Sequence, residues 1–281
     1  MSLAPISSHI RVATWNLNNR VGKVPFRQQA ADAAIALGAD LIVFTEYYPG
    51  ATDVHERFVR RLSDAGWGSS LCSGTTGDGA NQVLMVSRID LQRGRLSAPE
   101  FDRHLASNVL LATASPSGLK ILGVRIPWYT GKTLPLRAKA WSWLADQAAK
   151  LIHGPAVILG DLNVSTSSRA STTSGHFNTM LSSGWTRAAP AEGASFYGKA
   201  ERRSEIDHIL LSPACTATSS RYVATCPGHV LAGEPDSLSD HAALVADVNV
   251  GAPCKCDLPI RARRRRTAES SEICLTGTTS K

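Results

Sequence analysis

Five apolar runs in this chain begin or end on a residue able to do acid–base or metal chemistry. "VATWN" ends on Asn16, "LIVFTE" ends on Glu46, and "VILGDLN" carries Asp161 and Asn163. "SEIDHILL" holds Asp207, and "LSDHAALVADV" opens on Asp240 and His241. Any one of these has an ordinary structural explanation, since Gly, Asp and Asn are common turn residues and a histidine can be satisfied inside a core. Asp207 is the hardest to explain that way, because an acid within an apolar strand needs a buried partner. Taken together, the residue types are those of divalent-metal hydrolysis. A phosphodiester is anionic and repels hydroxide, and a hard cation on oxygen ligands offsets that repulsion. A carboxylate must orient or deprotonate the attacking water. A histidine held by a carboxylate has a fixed orientation and a raised pKa, so it can donate to the phosphate.

Other catalytic signatures fail on inspection. "GKT" at Gly131 to Thr133 would end a phosphate-binding loop only if a glycine stood at 126, and Ile126 stands there. His55–Glu56 would need a histidine at 59 to form a zinc-protease helix, and Val59 occupies it. No G-x-S-x-G elbow occurs.

The elements that position the polar residues alternate from residue 9 to about 250. Strands are expected at 9–17, 39–46, 67–73, 81–88, 107–115, 119–127, 155–161, 205–212, 220–226 and 241–250. Helices are expected at 26–38, 53–66 and 134–154, with a short one around 176–184. A hairpin should turn at Pro116 to Gly118. About nine or ten strands and four helices, with hairpins and helical crossovers mixed, argue for a mixed sheet or a pair of sheets with helices outside.

In this order the motifs W-N, strand-E, G-D-x-N, I-D-H-I and S-D-H resemble the endonuclease/exonuclease/phosphatase superfamily over residues 9–250. That group includes pancreatic deoxyribonuclease, apurinic endonucleases, inositol polyphosphate phosphatases and neutral sphingomyelinases. The resemblance implies an α/β fold, a four-layered α/β sandwich of two packed mixed β-sheets flanked by helices. It implies that Glu46 binds Mg²⁺ (or Mn²⁺) directly and that Asn16 and Asp240 stand near that metal. Asp161 would activate or orient water, and Asn163 would hold the nucleophile and a phosphate oxygen. His241 would contact the scissile phosphate, oriented by Asp207.

The chain departs from the family in "LGVRIPWYTG". Arg125 stands where a catalytic His or Tyr is usual, and Trp128 stands where an amide is often found, after a Pro127 that resembles the apurinic-endonuclease version. A guanidinium can grip a phosphate oxygen, so Arg125 is expected to stabilise charge growing in the transition state. A surface salt bridge is the alternative, and Trp128 is expected to pack rather than to stack on a base. Thr45 replaces the Gln often found before the metal-binding acid. Long sphingomyelinase-type insertions and inositol-phosphatase signatures are absent, which favours a nuclease-like phosphodiesterase acting on nucleic acid. A phosphomonoesterase or small-molecule phosphodiesterase on the same fold is the second reading, and a non-catalytic binding protein the third.

Hydrophobic residues make up 43% and charged residues 19%, within the range of soluble globular chains. No apolar run approaches the ~18 residues of a membrane span, and the N-terminus lacks a signal pattern, so a cytoplasmic protein is expected. The net charge of +7 divides into +4 from residue 251 onward and +3 before it. The periodic segments mark a short leader (1–8), an endonuclease/exonuclease/phosphatase-like domain (9–250) and, where periodicity stops, a basic tail (251–281) expected to be disordered. The tail's five arginines, Arg261 and Arg263 to Arg266, would add affinity for nucleic acid. Six scattered cysteines form no disulfide framework or paired zinc motif.

Overall fold

The computed structural model describes residues 8–19, 21, 28–74, 80–97, 99–165, 172–199 and 202–251. The leader up to residue 7, the centre of the 74–80 loop and the tail beyond Gly251 lie outside the described residues. The first half runs β1 (Ser8–Asn16), α1 (Gln28–Ala36), β2 (Leu41–Tyr47), α2 (Thr52–Asp64), β3 (Ser69–Cys72), β4 (Gln82–Ser87), β5 (Leu91–Arg93), α3 (Arg103–Ser107), β6 (Val109–Ala114) and β7 (Lys120–Val124). A 3₁₀ turn at Gly131–Thr133 leads into α4 (Leu134–Leu151), followed by β8 (Ala156–Asp161), α5 (Thr172–Ser182) and β9 (Thr186–Arg187). The chain closes with β10 (Phe196–Tyr197), β11 (Arg203–Ser204), β12 (Asp207–Leu211), β13 (Cys215–Val223), β14 (Thr225–Cys226), β15 (His229–Val230) and β16 (Ala243–Val250).

Ten of these strands and four helices answer to the periodic segments of the sequence. The remainder are short: β5, α3, β9, β10, β11 and β14–β15 span two to five residues and carry too little periodicity to read. The strand expected to run to Pro127 stops at Val124, because Arg125 to Pro127 leave the ladder to enter the site.

Two six-stranded sheets result, in the orders β13-β16-β1-β2-β4-β3 and β5-β6-β7-β8-β12-β9. Each has one parallel pair at its middle, β1 with β2 and β7 with β8, and antiparallel neighbours outward. This arrangement brings the ends of the parallel strands and the starts of β12 and β16 to one edge. Asp207 at the start of β12 pairs in register with Asp161 at the end of β8.

The two sheets pack face to face. Val12, Val43, Met85, Leu244 and Val248 of one meet Leu110, Ile121, Val157, Leu159 and Ile209 of the other. The sheets come close at Gly123, where a Cβ would lie 2.8 Å from Met85 and Val43 side-chain carbons. The opposite face of the first sheet carries Trp15, Phe44 and Val86 under α1 and α2, through Ala30, Ala34, Phe58 and Leu62. The opposite face of the second carries Leu122, Ile158 and Leu210 under α4 and α5, through Trp141, Leu144, Phe177 and Met180. Helix, sheet, sheet, helix is the four-layered α/β sandwich. Strands such as β8, buried on both faces, read as continuous apolar runs for this reason. No helix among the described residues is long and apolar enough to cross a membrane.

Candidate active site

"VILGDLN" ends in a turn that also aims an acid. Gly160 has φ of 145°, and a Cβ on it would lie 1.9 Å from the Val124 carbonyl oxygen, so only glycine lets β8 run this close to the end of β7. The Ile126 N–H then donates to the Asp161 carbonyl at 2.9 Å. Asp161 Oδ1 accepts from the Asn163 N–H at 3.0 Å, and Asn163 Nδ2 donates to Asp161 Oδ2 at 3.2 Å and to the Ile126 carbonyl at 2.7 Å. Asn163 adopts φ of 50°, which asparagine tolerates better than most residues.

From the other sheet, Asn16 at the end of β1 donates from Nδ2 to Asp161 Oδ2 at 3.0 Å and approaches Glu46 Oε1 at 3.3 Å. Glu46 is held in a left-handed conformation, φ 46°, beside a bulge that interrupts the pairing of β2 with β4. Such a backbone costs a non-glycine residue about 1–3 kcal/mol and persists only where its surroundings hold it. Asn19 Nδ2 donates to Glu46 Oε2 at 2.8 Å. Arg125 takes the other carboxylate oxygen, with Nη2 at 2.7 Å and Nε at 3.0 Å from Oε1. Its Nε stands 3.9 Å from Asp161 Oδ2.

Across the site, His241 Nδ1 and Asp207 Oδ2 are 2.7 Å apart, both residues buried. The Trp15 indole donates to the His241 carbonyl at 2.9 Å. Ser239 Oγ accepts the His241 N–H at 3.1 Å and donates to the Asn16 carbonyl at 2.7 Å. The histidine is thus tied to the end of β1 at two points, and Phe196 lies against its ring with centroids 5.1 Å apart. His241 Nε2 points toward Asp240, with Oδ1 at 3.9 Å.

The electrostatics follow from this packing. Burial pushes the Asp161 carboxyl well above the usual carboxylate range, Asp207 adds to it, and His241 and Arg125 pull against it. Burial alone would lower the His241 pKa. The charge and hydrogen bond of Asp207, helped by Asp161 and Asp240, outweigh it and raise the pKa to about 9. Near neutral pH the ring is therefore an imidazolium, donating from both nitrogens.

All eight residues singled out in the sequence lie at this one end of the sandwich. Glu46, Arg125, Asp161, Asn163, Asp240 and His241 line one cavity of about 380 Å³. Asn16 and Asp207 stand behind its wall and act through Asp161, Glu46 and His241. Two expectations change. Arg125 is neither a surface bridge nor a free cation: its guanidinium is engaged by Glu46, with both side chains only 15% exposed. Trp128 does not pack, because it is 60% exposed at the cavity rim while Ile126 and Tyr129 on either side supply the packing.

The donor set suits a hard divalent cation. Glu46, Asp161, Asp207 and Asp240 set four carboxylates against two cations, Arg125 and His241, leaving a net negative site when all are ionised. Asn19 Oδ1, beside Glu46, is buried with no hydrogen-bond partner among the described residues. Among the described residues no group of three or more His, Cys, Asp or Glu is placed to hold a metal ion by itself. Mg²⁺ does not need one, because it binds through one or two carboxylates and keeps waters and substrate oxygens.

Asn19, Ser239 and Phe196 are site residues that sequence reasoning passed over. "WNLNN" carried a signal for Asn19, since three amides in five residues after a strand exceed what one turn needs. Ser239 and Phe196 gave none, because their roles depend on contacts with residues far away in the chain.

The model of the Endonuclease/Exonuclease/phosphatase family matches residues 13–241. Comparison with curated proteins returned no match. Among solved structures, the 3′ phosphatase NExo from Neisseria bound to product DNA hairpin is similar at 21% identity, with 84% of this chain and 98% of that one covered and a TM-score of 0.64. An AP endonuclease from Archaeoglobus fulgidus is similar at 17% identity, with 84% and 98% covered and a TM-score of 0.64. A humanised TDP2 of D. rerio is similar at 13% identity, with 87% and 100% covered and a TM-score of 0.62. At these identities the structural likeness concerns the fold, while the family model spans most of the sequence, including all eight residues gathered at this end of the sandwich. The chain belongs to the endonuclease/exonuclease/phosphatase family, whose members hydrolyse phosphoester bonds.

Proposed function

We propose that this chain is a divalent-metal-dependent phosphodiesterase acting on nucleic acid. The observation that carries the reading is the Asp207–His241 pair facing the Asn16–Glu46–Asp161–Asn163 cluster across one cavity. Glu46, with Asn16 and Asn19 bonded to it and Asp240 lining the same cavity, would hold Mg²⁺ or Mn²⁺. When bound, that ion would neutralise phosphate charge and stabilise the leaving oxygen.

The chain's own residues then have distinct tasks. Asp161, its carboxylate fixed by Asn16 and Asn163, orients water for attack on phosphorus and takes its proton. A pKa raised by burial makes it a better base than an ordinary carboxylate near neutral pH. His241, charged and held by Asp207, donates from Nε2 to a non-bridging phosphate oxygen as negative charge grows there. The P–O ester bond opposite the incoming water breaks and the departing oxygen takes a proton from solvent water, leaving a phosphate on one product and a hydroxyl on the other. Arg125 holds Glu46 in place rather than gripping the substrate directly.

Nucleic acid is the favoured substrate because relatives with this architecture are named for work on DNA, including one bound to product DNA hairpin and an AP endonuclease. Exposed Arg202 at the cavity rim adds positive charge for a polyanion. Removal of a terminal phosphate is the second reading, favoured by the 3′ phosphatase title of one neighbour. The test is purified protein with Mg²⁺ or Mn²⁺, with and without chelator, on plasmid, abasic duplex, single strands, 3′-phosphorylated strands and a generic phosphodiester. Chelator-sensitive cleavage of a nucleic acid supports the reading. Turnover of the generic ester or terminal phosphate alone would replace it.

A further inference from the structure

The chain has six tryptophans, and their exposure separates one from the rest. Trp15, Trp67, Trp141 and Trp185 are essentially inaccessible and Trp143 is half-buried, while Trp128 is 60% exposed. A large apolar ring left in water forgoes the burial that normally fixes such a residue. Looseness of the chain does not account for it. Ile126, two residues before, is buried, bonded through its N–H to Asp161 and through its carbonyl to Asn163 Nδ2. Tyr129, the next residue, is buried, with its hydroxyl donating to Asp102 and its carbonyl accepting from Arg137 Nη2 at 3.0 Å. The segment is pinned on both sides and presents the indole outward.

The indole lines the same cavity as Glu46, Arg125, Asp161 and His241. The Arg137 guanidinium stands 5.4 Å from its ring centroid, within cation–π range. Half-buried Phe196 and exposed Arg202 also line the cavity. A phosphate placed at the centre would therefore have a flat aromatic surface in the same cavity available to its attached nucleoside, with cations nearby for the backbone.

We propose that Trp128 is a stacking platform for an unpaired nucleobase on the nucleotide joined to the scissile phosphate. The enzyme would then prefer single-stranded or frayed ends over intact duplex. This rests on the nucleic-acid reading above. Stacking needs a base whose face is free, and an aromatic ring accepts any base because every base has a π-face.

The experiment uses the full chain in chelator, where binding is measured without turnover. The probes are oligothymidylate, an oligomer of equal length with abasic tetrahydrofuran units, and a blunt duplex. Trp128, as the most exposed indole, reports by fluorescence quenching, and anisotropy gives affinity. Trp128→Ala should weaken oligothymidylate binding about tenfold or more, Trp128→Phe should recover most of it, and the abasic oligomer should bind wild type and Trp128→Ala alike. Wild type should prefer oligothymidylate to both other probes. Equal loss on the abasic oligomer, or no loss on oligothymidylate, overturns the platform while leaving the nucleic-acid reading intact. If wild type neither binds nor, with metal, cleaves any oligomer, both fall together.

Discussion

Removing the Arg125 guanidinium should separate cation binding from catalysis. Arg125 sits 2.7 Å from Oε1 of Glu46, the acid proposed to hold the cation, and both side chains are 15% exposed. Two unit charges about 4 Å apart interact by ~1 kcal/mol in water and ~4 kcal/mol at an effective dielectric of ~20. This part-buried pair falls between those limits, and a divalent ion on the same carboxylate would meet the guanidinium's repulsion with twice the charge. Arg125→Ala should therefore tighten Mn²⁺ binding at least ~10-fold, equivalent to ~1.4 kcal/mol. The metal-free variant should also be less stable by up to ~3 kcal/mol, because Glu46 is left without its cation. Added Mn²⁺ should restore that loss by binding the folded state. Turnover should still fall, since Glu46 loses the partner that aims it. The assay is Mn²⁺ titration followed by electron paramagnetic resonance of the free ion, with thermal melts of both proteins with and without metal. Unchanged or weaker Mn²⁺ affinity in a folded Arg125→Ala protein would show that Glu46 is not the cation's anchor or that Arg125 does not compete for it.

Asp161→Asn and His241→Ala should each lower kcat by ~10² or more, and the double variant should lose less than the product, because both groups serve one phosphate. Steady-state rates with circular dichroism as a folding control decide it, and near-normal turnover in either single variant removes that residue from the mechanism. Gly160→Ala should destabilise the fold by ~3 kcal/mol or more and misplace Asp161, since its Cβ would fall 1.9 Å from the Val124 carbonyl oxygen. Urea unfolding measures this, and a loss under ~1 kcal/mol would mean that β8 shifts freely. Asp247, on β16, accepts from Arg11 of β1 at 2.8 Å and from Ser219 of β13 at 2.7 Å, hydrogen bonds that hold its carboxyl down to about 2. A folded-state pKa below the ordinary 3.8 contributes stability that is present above pH 4 and lost as pH falls toward 2. Asp247→Asn should cost about 1 kcal/mol at neutral pH, and that difference should close over the same window.

The parts of this molecule that were legible in its sequence are those that carry their own periodicity. β1, β2, β8, β12 and β16 are buried strands whose apolar runs begin or end abruptly at polar residues, and that break in pattern is what exposed Asn16, Glu46, Asp161, Asp207 and His241. The two-residue strands β10, β11, β14 and β15 carry no repeat to detect, yet β10 puts Phe196 against His241. The partner of Arg125 was hidden because Glu46 lies on another sheet and reaches it only through a left-handed backbone. Nor could the exposure of Trp128 be read locally, because the same residue types pack whenever a neighbour covers them. What covers Ile126 and Tyr129, and leaves Trp128 open, is set by Asn163, Asp102 and Arg137.

Hydrolysis by water held at Asp161 is tested most directly by cleaving a short oligonucleotide with Mg²⁺ in oxygen-18 water and weighing the products. Attack at phosphorus puts one heavy oxygen on the phosphate-bearing product and none on the hydroxyl product, and Asp161→Asn should slow its appearance by ~10² or more. A heavy oxygen on the hydroxyl product, or labelling at the wild-type rate in Asp161→Asn, would contradict phosphoester hydrolysis at this site.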